Sequence, residues 1–225
     1  MNQYAVIVAG GTGTRMGGDI PKQFQTLCGR PILWWSMKAF HDENPLSRLI
    51  LVVHEDFIPL WNDIFYSLPR REQFHHQIIS GGISRSESVK KGLSLIDDGN
   101  SLVAVHDGAR PLVAPLIIAK GWEMARKHDA AIPVVPVTDS LRKISSEGSH
   151  AVDRSEYVAV QTPQVFKTSV LKDAYGAANG KSFSDDAAIA ENAGFKVSLF
   201  EGSHINIKIT NPKDLEIAEV LMKDV

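Results

Sequence analysis

The sequence predicts an α/β fold built around a mostly parallel sheet. Short apolar runs recur at 4–9 (YAVIVA), 48–53 (RLILVV), 77–80 (QIIS), 102–106 (LVAVH) and 130–135 (AAIPVV). Several are near-continuous rather than alternating, as strands covered on both faces must be. Helical patterns lie between them, and this alternation is the signature of a crossover-connected parallel sheet. A glycine-rich loop leaves the first strand, the place where open α/β sheets hold ligands.

Taken in order, the first run is a strand ending in that loop. PILWWSMKAF follows as a helix, with Pro31 suited to a first helical position. After the strand at 48–53, EDFIPLWNDIFYSL is expected to become helical near Pro59. The run at 77–80 leads into SRSESVKKGLSLI, where Ser84 and Glu87 have capping-box spacing. The strand at 102–106 is followed by the helix APLIIAKGWEMARKH and then by the strand at 130–135.

The rhythm breaks after Pro136. The stretch to Phe166 alternates like partly polar strands around a central turn, SSEGS, and reads as an extended arm at about 137–160 inserted in one domain spanning 1–225. Helices near 168–176 and 185–193, strands at 196–200 (KVSLF) and 206–210 (NIKIT), and a closing helix after Asn211–Pro212 complete the expectation.

Composition narrows the function. The chain of 225 residues is 44% hydrophobic and 22% charged, ordinary values for a globular protein with a sizeable core. A net charge of −2 provides no global attraction to nucleic acid or to a membrane, so any anion must be held by locally placed bases. No apolar run approaches the ~20 residues that span a bilayer. Residues 1–20 lack a signal-peptide pattern, and the single cysteine, Cys28, excludes an internal disulfide and a cysteine metal cluster. A cytoplasmic protein is expected.

The loop AGGTGTRMGGDIPKQF, residues 9–24, carries five glycines together with Arg15 and Lys22. It fails the Walker pattern, because Gly13 is followed by Thr14 and Arg15, and the dinucleotide pattern, because Met16 stands where a third glycine is needed. A plain surface turn is the simpler alternative. Glycines at a strand end that expose N–H groups, with two bases beside them, fit a phosphate-rich ligand better.

VHDGARP places Asp107 at the end of a buried strand with Arg110 three residues on. Beside a phosphate loop, such a carboxylate suits Mg²⁺, which favours oxygen donors and bridges carboxylate to substrate phosphate. An Asp–Arg surface pair is the ordinary alternative. His106 reads as a packing histidine, and Trp34–Trp35 as core or interface. The second loop, GGISRSESV, enters a helix whose free N–H groups could grip a base edge or phosphate. Asp185 and Asp186 suit a helix start, Lys208 reads as a strand-face cation, and His75–His76 as solvated surface. No G-x-S-x-G or H-E-x-x-H pattern occurs.

AGGTGTRMGGDIPKQF, GGISRSESV, HDGARP, VDR, QTPQ, SDDA and NIKIT, in that order and spacing, resemble the 2-C-methyl-D-erythritol 4-phosphate cytidylyltransferase family. The related ribitol-5-phosphate cytidylyltransferases share most of these blocks, and VDR and SDDAA favour the first family. The resemblance implies a Rossmann-like nucleotidyltransferase fold whose β-arm reaches across a homodimer. It implies CTP and a polyol phosphate as substrates, Mg²⁺ as cofactor, and no nucleic-acid or membrane partner. By motif, Ala9, Gly10, Gly11, Gly13 and Thr14 would wrap the nucleotide, with Arg15 and Lys22 on its phosphates. Gly82 and Ser88 would read the cytosine with Arg85 close by. Asp107, Gly108 and Arg110 would also face the nucleotide, Asp107 as metal ligand. Ser140, Arg154 and Lys208 would seat the second substrate's phosphate, Ser140 and Arg154 in the partner's site. Catalysis would rest on Arg15, Lys22, Arg154 and Lys208. Relatives often carry an acidic residue shortly before NIK, thought to share the metal; Ile205 stands in that stretch here and cannot ligate Mg²⁺. An NAD-dependent reductase and a nucleotide-sensing protein are the rival classes; Met16 weakens the first, and Arg154 and Lys208 would lack a purpose in the second.

Overall fold

The computed structural model describes residues 1–11, 20–178, 181 and 183–223. β1 (Gln3–Ala9) opens the chain, and the short pair β2 (Thr26–Leu27) and β3 (Arg30–Pro31) precedes α1 (Ile32–Glu43). β4 (Arg48–Val53), α2 (Ile58–Ser67), β5 (His76–Ser80) and α3 (Arg85–Leu93) follow. β6 (Leu102–Asp107), α4 (Pro115–His128) and β7 (Ala130–Pro136) complete the regular alternation. The arm is the hairpin β8 (Leu141–Ser145) and β9 (Gly148–Val152). β10 (Val158–Val160), β11 (Gln164–Lys167), α5 (Thr168–Ala177), α6 (Asp186–Asn192), β12 (Ser198–Glu201) and α7 (Pro212–Lys223) close the chain.

The main sheet has eight strands in the order β10-β7-β11-β6-β1-β4-β5, with β12 also pairing β7. β5, β4, β1 and β6 run parallel, and β12 runs parallel to β7. β11 lies between β6 and β7 and runs antiparallel to both, as β10 does to β7. The mainly parallel expectation therefore holds, with a mixed half added by the stretch after the arm. Both faces are covered. Ala5, Ile7, Leu49 and Leu51 pack with α1, α2 and α4, while Val6, Ile50, Val103 and Val105 pack with α3, α5 and α6. Alternate residues of one strand thus enter two cores, which is why β1 and β4 are apolar at nearly every position.

Local chemistry explains most boundaries. Pro31 stands just ahead of α1 rather than in it, and Pro59 occupies the first turn of α2. Ser84 caps α3 by accepting the Glu87 N–H at 3.1 Å, a contact worth about 1 kcal/mol in such helices. The Glu87 carboxylate returns not to Ser84 but to the Ile83 N–H, at 2.9 Å. Two expectations are corrected. Residues 206–210 form no strand: Asn206 turns into the interior against Gln161 and Thr162, and the Ile209 N–H reaches Ala109 O, 2.8 Å away, without a ladder of further bonds among the described residues. His76 is not solvated surface: it lies in β5 and accepts a 2.9 Å hydrogen bond from Trp61 Nε1, and burial lowers its pKa.

Candidate active site

Because β1, β4, β5 and β6 run parallel, their C-terminal ends share one edge of the sheet, and the loops leaving them meet there. Two cavities open along this edge. The first, of about 360 Å³, is bounded by Ala9, Gly10, Gly11 and Lys22 on one side and by Gly82 and Ser88 on the other. The second, of about 300 Å³, is bounded by Arg110, Gln161, Thr162 and Asp185. Asp107, Arg85 and Lys208 line both.

Asp107 ends β6 and organises this junction. Lys208 Nζ lies 3.0 Å from its Oδ2, Arg110 Nε 3.4 Å from the same oxygen, and Arg85 Nε 3.6 Å from Oδ1. Burial alone would raise the carboxyl pKa, but Lys208, Arg85 and Arg110 together hold it well below the usual carboxylate range. Asp107 is therefore held in its ionised form at neutral pH. The strand end is fixed from behind: the Thr162 hydroxyl accepts the Asp107 N–H at 3.1 Å, and the same oxygen lies 3.1 Å from His106 Nδ1. His106 is fully buried against Phe40, and burial pushes it down to about 4. As the neutral ring it accepts from Thr162 and donates from Nε2 to Arg110 O, 3.1 Å away. Arg110 Nη1 in turn donates to Asn206 O at 2.8 Å.

The glycine loop is anchored at its ends. Gln23, buried after Lys22, donates to Ala9 O at 2.8 Å and to Gly11 O at 3.0 Å. Lys22 Nζ donates to Ile209 O at 2.8 Å, tying this loop to the segment that carries Lys208. Across the cavity, Gly82 has no room for a side chain, since a Cβ there would fall 2.3 Å from Glu87 Cβ. Its N–H donates to Ser88 Oγ at 3.0 Å, and that hydroxyl donates to Ser84 O at 2.9 Å. With its hydrogen committed, Ser88 Oγ presents only acceptor capacity to the cavity.

The structure gathers Ala9, Gly10, Gly11, Lys22, Gly82, Arg85, Ser88, Asp107 and Lys208 around the first cavity. Gly13, Thr14 and Arg15 lie outside the described residues. Arg110 faces the second cavity rather than the first. Gly108 faces neither; it is buried beneath the site, its N–H on Val8 O at 2.9 Å and its carbonyl accepting from Ser36 Oγ at 3.0 Å. An added Cβ would meet Leu33 Cδ1 at 2.9 Å and Ala9 Cβ at 3.1 Å, so a larger residue here would need a small shift of the Leu33 side chain. Ser140 and Arg154 are exposed on and beside the arm, Arg154 donating to Thr138 O, and they line neither cavity. Ile205 lines a separate apolar cavity with Trp35, Leu112 and Met222.

Sequence reasoning missed Gln23, Thr162 as a support for Asp107, and the partnership of Arg85 with Asp186. Asp185 is the helix cap, accepting the Ala188 N–H at 3.0 Å. Asp186 is instead buried and accepts from Arg85 Nη2 at 2.7 Å and from the Tyr175 hydroxyl at 2.6 Å. Nothing local marks these contacts, because Arg85 and Asp186 are 101 residues apart.

The arrangement can hold two polyanions side by side across a neutralised carboxylate. No group of three or more histidine, cysteine, aspartate or glutamate side chains suited to a metal occurs among the described residues, and no described helix is long and apolar enough to cross a membrane. Comparison with known proteins agrees with the sequence motifs. The family model described as 2-C-methyl-D-erythritol 4-phosphate cytidylyltransferase matches residues 3–224. A protein of that name from Phocaeicola vulgatus is 43% identical over 226 residues, covering 99% of this chain and 100% of the relative. Another from Azobacteroides pseudotrichonymphae is 44% identical over 223 residues, 98% of each. The crystal structure of the Thermus thermophilus enzyme of that name superimposes with a TM-score of 0.78 at 32% identity, over 99% of this chain and 100% of the other. A 4-diphosphocytidyl-2C-methyl-D-erythritol synthase from Anaerococcus prevotii gives a TM-score of 0.84 at 25% identity, over 99% and 96%.

Proposed function

The chain belongs to the 2-C-methyl-D-erythritol 4-phosphate cytidylyltransferase family, and on that premise we propose how its two cavities divide the reaction. The enzyme transfers CMP from CTP to 2-C-methyl-D-erythritol 4-phosphate, releasing pyrophosphate, in isoprenoid synthesis by the non-mevalonate route. The relatives are named for this polyol phosphate, which favours it over ribitol 5-phosphate. The observation that carries the division is the shared wall: Asp107, Arg85 and Lys208 belong to both cavities. CTP takes the first, the polyol phosphate the second, and the reacting phosphorus lies between them.

An oxygen of the polyol phosphate attacks the α-phosphorus of CTP, its bond to phosphorus forms, and the α–β P–O bond breaks, its electron pair leaving on pyrophosphate. The attacking oxygen is already anionic at neutral pH, so no general base is required, in keeping with a site that offers cations rather than a base. Positioning and charge stabilisation carry such transfers. Lys22, with Arg15 by motif, stabilises the triphosphate, and Lys208 and Arg110 draw the second phosphate toward Asp107. Ser88 Oγ, left as an acceptor, selects the amino hydrogens of cytosine over the carbonyl that uracil carries there. Asp107, one ionised carboxylate, would hold Mg²⁺, which accepts few protein ligands. When bound, the ion would neutralise charge building on the phosphate oxygens.

The arm serves a homodimer in this proposal. Ser140 and Arg154 then reach the partner's second cavity, which accounts for their distance from the cavities of their own chain. Val158 and Val160, 44% and 40% exposed on β10, support a covered edge there. A cytoplasmic location is part of the same proposal. A coupled pyrophosphate assay with CTP tests the function. Release with 2-C-methyl-D-erythritol 4-phosphate, abolished by chelating divalent cations, is expected. Release with ribitol 5-phosphate alone would contradict it.

A further inference from the structure

We propose that Arg85 is a catalytic residue that contacts the phosphoryl group in transfer, not a part of base recognition, and that Asp186 and Tyr175 are the positioning residues that aim it. This rests on the CMP-transfer reading above, because only that reaction puts a reacting phosphorus at the junction of the two cavities.

Asp186 is 0% exposed, and each of its oxygens has one short partner: Arg85 Nη2 at 2.7 Å and the Tyr175 hydroxyl at 2.6 Å. Desolvating a carboxylate costs several kcal/mol, and a buried ion pair often does no better than well-packed apolar residues. Simple attachment of α3 to the α5–α6 region is already provided by apolar contact through Val89, Leu171 and Ile189. Capping does not need Asp186 either, since Asp185 does that. What the buried pair supplies is direction. The guanidinium is a rigid planar fork, and fixing one edge fixes the aim of the rest.

That aim is toward the junction. The Arg85 side chain is 28% exposed and lines both cavities, with Nε facing Asp107 Oδ1 at 3.6 Å, too long for a hydrogen bond. Among the described residues only the edge on Asp186 is committed to a hydrogen bond. The donors left over are those of a preorganised cation: they need not reorganise as charge grows on the phosphate oxygens, which is where such donors contribute most. Lys208, by contrast, is 42% exposed and pairs with Asp107 itself, so it suits drawing substrate in rather than holding a fixed geometry.

Net charge and positioning predict opposite results. Neutralising Asp186 leaves more positive charge beside two polyanions, so bulk electrostatics predicts tighter substrate binding without loss of rate. Positioning predicts that Asp186→Asn lowers kcat by roughly 30-fold or more, by analogy with the loss of one preorganised donor, while the KM for CTP stays level or falls. Arg85→Ala should lose about 100-fold on the same grounds. Added methylguanidinium should restore part of the turnover of Arg85→Ala. It should restore none in Arg85→Ala/Asp186→Asn, where the carboxylate that would seat it is gone. Tyr175→Phe, a milder change that keeps the ring, provides the same test if Asp186→Asn folds poorly by thermal melting; a kcat loss of about tenfold with unchanged CTP KM is expected for one lost hydrogen bond to a charged group. Wild-type kcat in Asp186→Asn or in a folded Tyr175→Phe, or equal rescue of the single and double Arg85 variants, would overturn the proposal. A wild-type enzyme that releases no pyrophosphate would instead overturn the transfer reading on which it rests.

Discussion

Asp107 concentrates the electrostatics of the molecule at one carboxylate. Among the described residues three cations, Lys208, Arg85 and Arg110, face it and hold its pKa down although burial works the other way. Exposed pairs such as Lys120–Glu123 and Lys127–Glu123 are as close or closer in distance but sit in water, where such pairs contribute little. Lys22 lines the same first cavity, its Nζ on the carbonyl of Ile209 next to Lys208. Its proposed role is to stabilise charge that develops during transfer, so its loss should appear in rate. Lys22→Ala is expected to lower kcat by about 100-fold or more, with a much smaller change in CTP affinity measured by calorimetry. A near-normal kcat with weakened CTP binding would assign Lys22 to ground-state binding alone. The residues that motifs mark in the sequence are those whose neighbours are close in the chain: Gly82 and Ser88 sit six residues apart and meet directly. Gln23, Thr162, Tyr175 and Asp186 carry no such mark, since each acts on a residue brought near only by the fold.

At the scale of elements, the sequence states most clearly what is buried on both faces. β1 and β4 are apolar at nearly every position because the two cores each take alternate side chains. β11 shares that burial, yet its antiparallel course between β6 and β7 depends on how the chain returns from the arm, which no local pattern encodes. Residues 206–210 alternate like a strand and are not one: Ile209 packs toward Leu27, Ile32 and Ala218, while Asn206 turns inward to Thr162. Alternation here records one buried side chain on each hand of an extended segment, without a ladder. The hairpin β8–β9 shows the opposite case, regular and largely exposed. An exposed two-stranded ribbon has little stability of its own, consistent with an arm that is completed by a second copy. Mixing Lys22→Ala with Arg154→Ala, each expected to be strongly impaired alone, tests this. If the arm serves the partner's site, random exchange restores about a quarter of wild-type sites, because half the dimers are mixed and each holds one intact site. A mixture that stays inactive after subunit exchange would contradict the exchange of Arg154 across the dimer.

For the whole molecule, buried His106 and half-buried His76 are expected to lower stability in acid. His106 drops to about 4 from an ordinary 6.5, and His76 also moves down, both by burial. A base whose folded pKa lies below its unfolded value contributes stability that is complete above the unfolded pKa. That contribution is lost as pH falls, because the unfolded chain takes up the proton first. For His106 the loss runs from about pH 6.5 down to 4 and amounts to about 3 kcal/mol at most. Urea midpoints should therefore fall steadily between pH 7 and 4.5. A midpoint that does not change over that interval would show that the histidines are not buried as neutral rings.

The same neutral scaffold keeps Asp107 and its cations fixed at the edge where both cavities meet, and the transfer is the property that edge exists to support. Its most direct test uses CTP labelled with ³²P at the α-phosphorus, incubated with the enzyme, Mg²⁺ and 2-C-methyl-D-erythritol 4-phosphate. The label should move into a CDP-linked polyol with an equal release of unlabelled pyrophosphate. Label that stays in CTP, or that appears as free CMP without a CDP-linked product, would contradict in-line transfer between the two cavities.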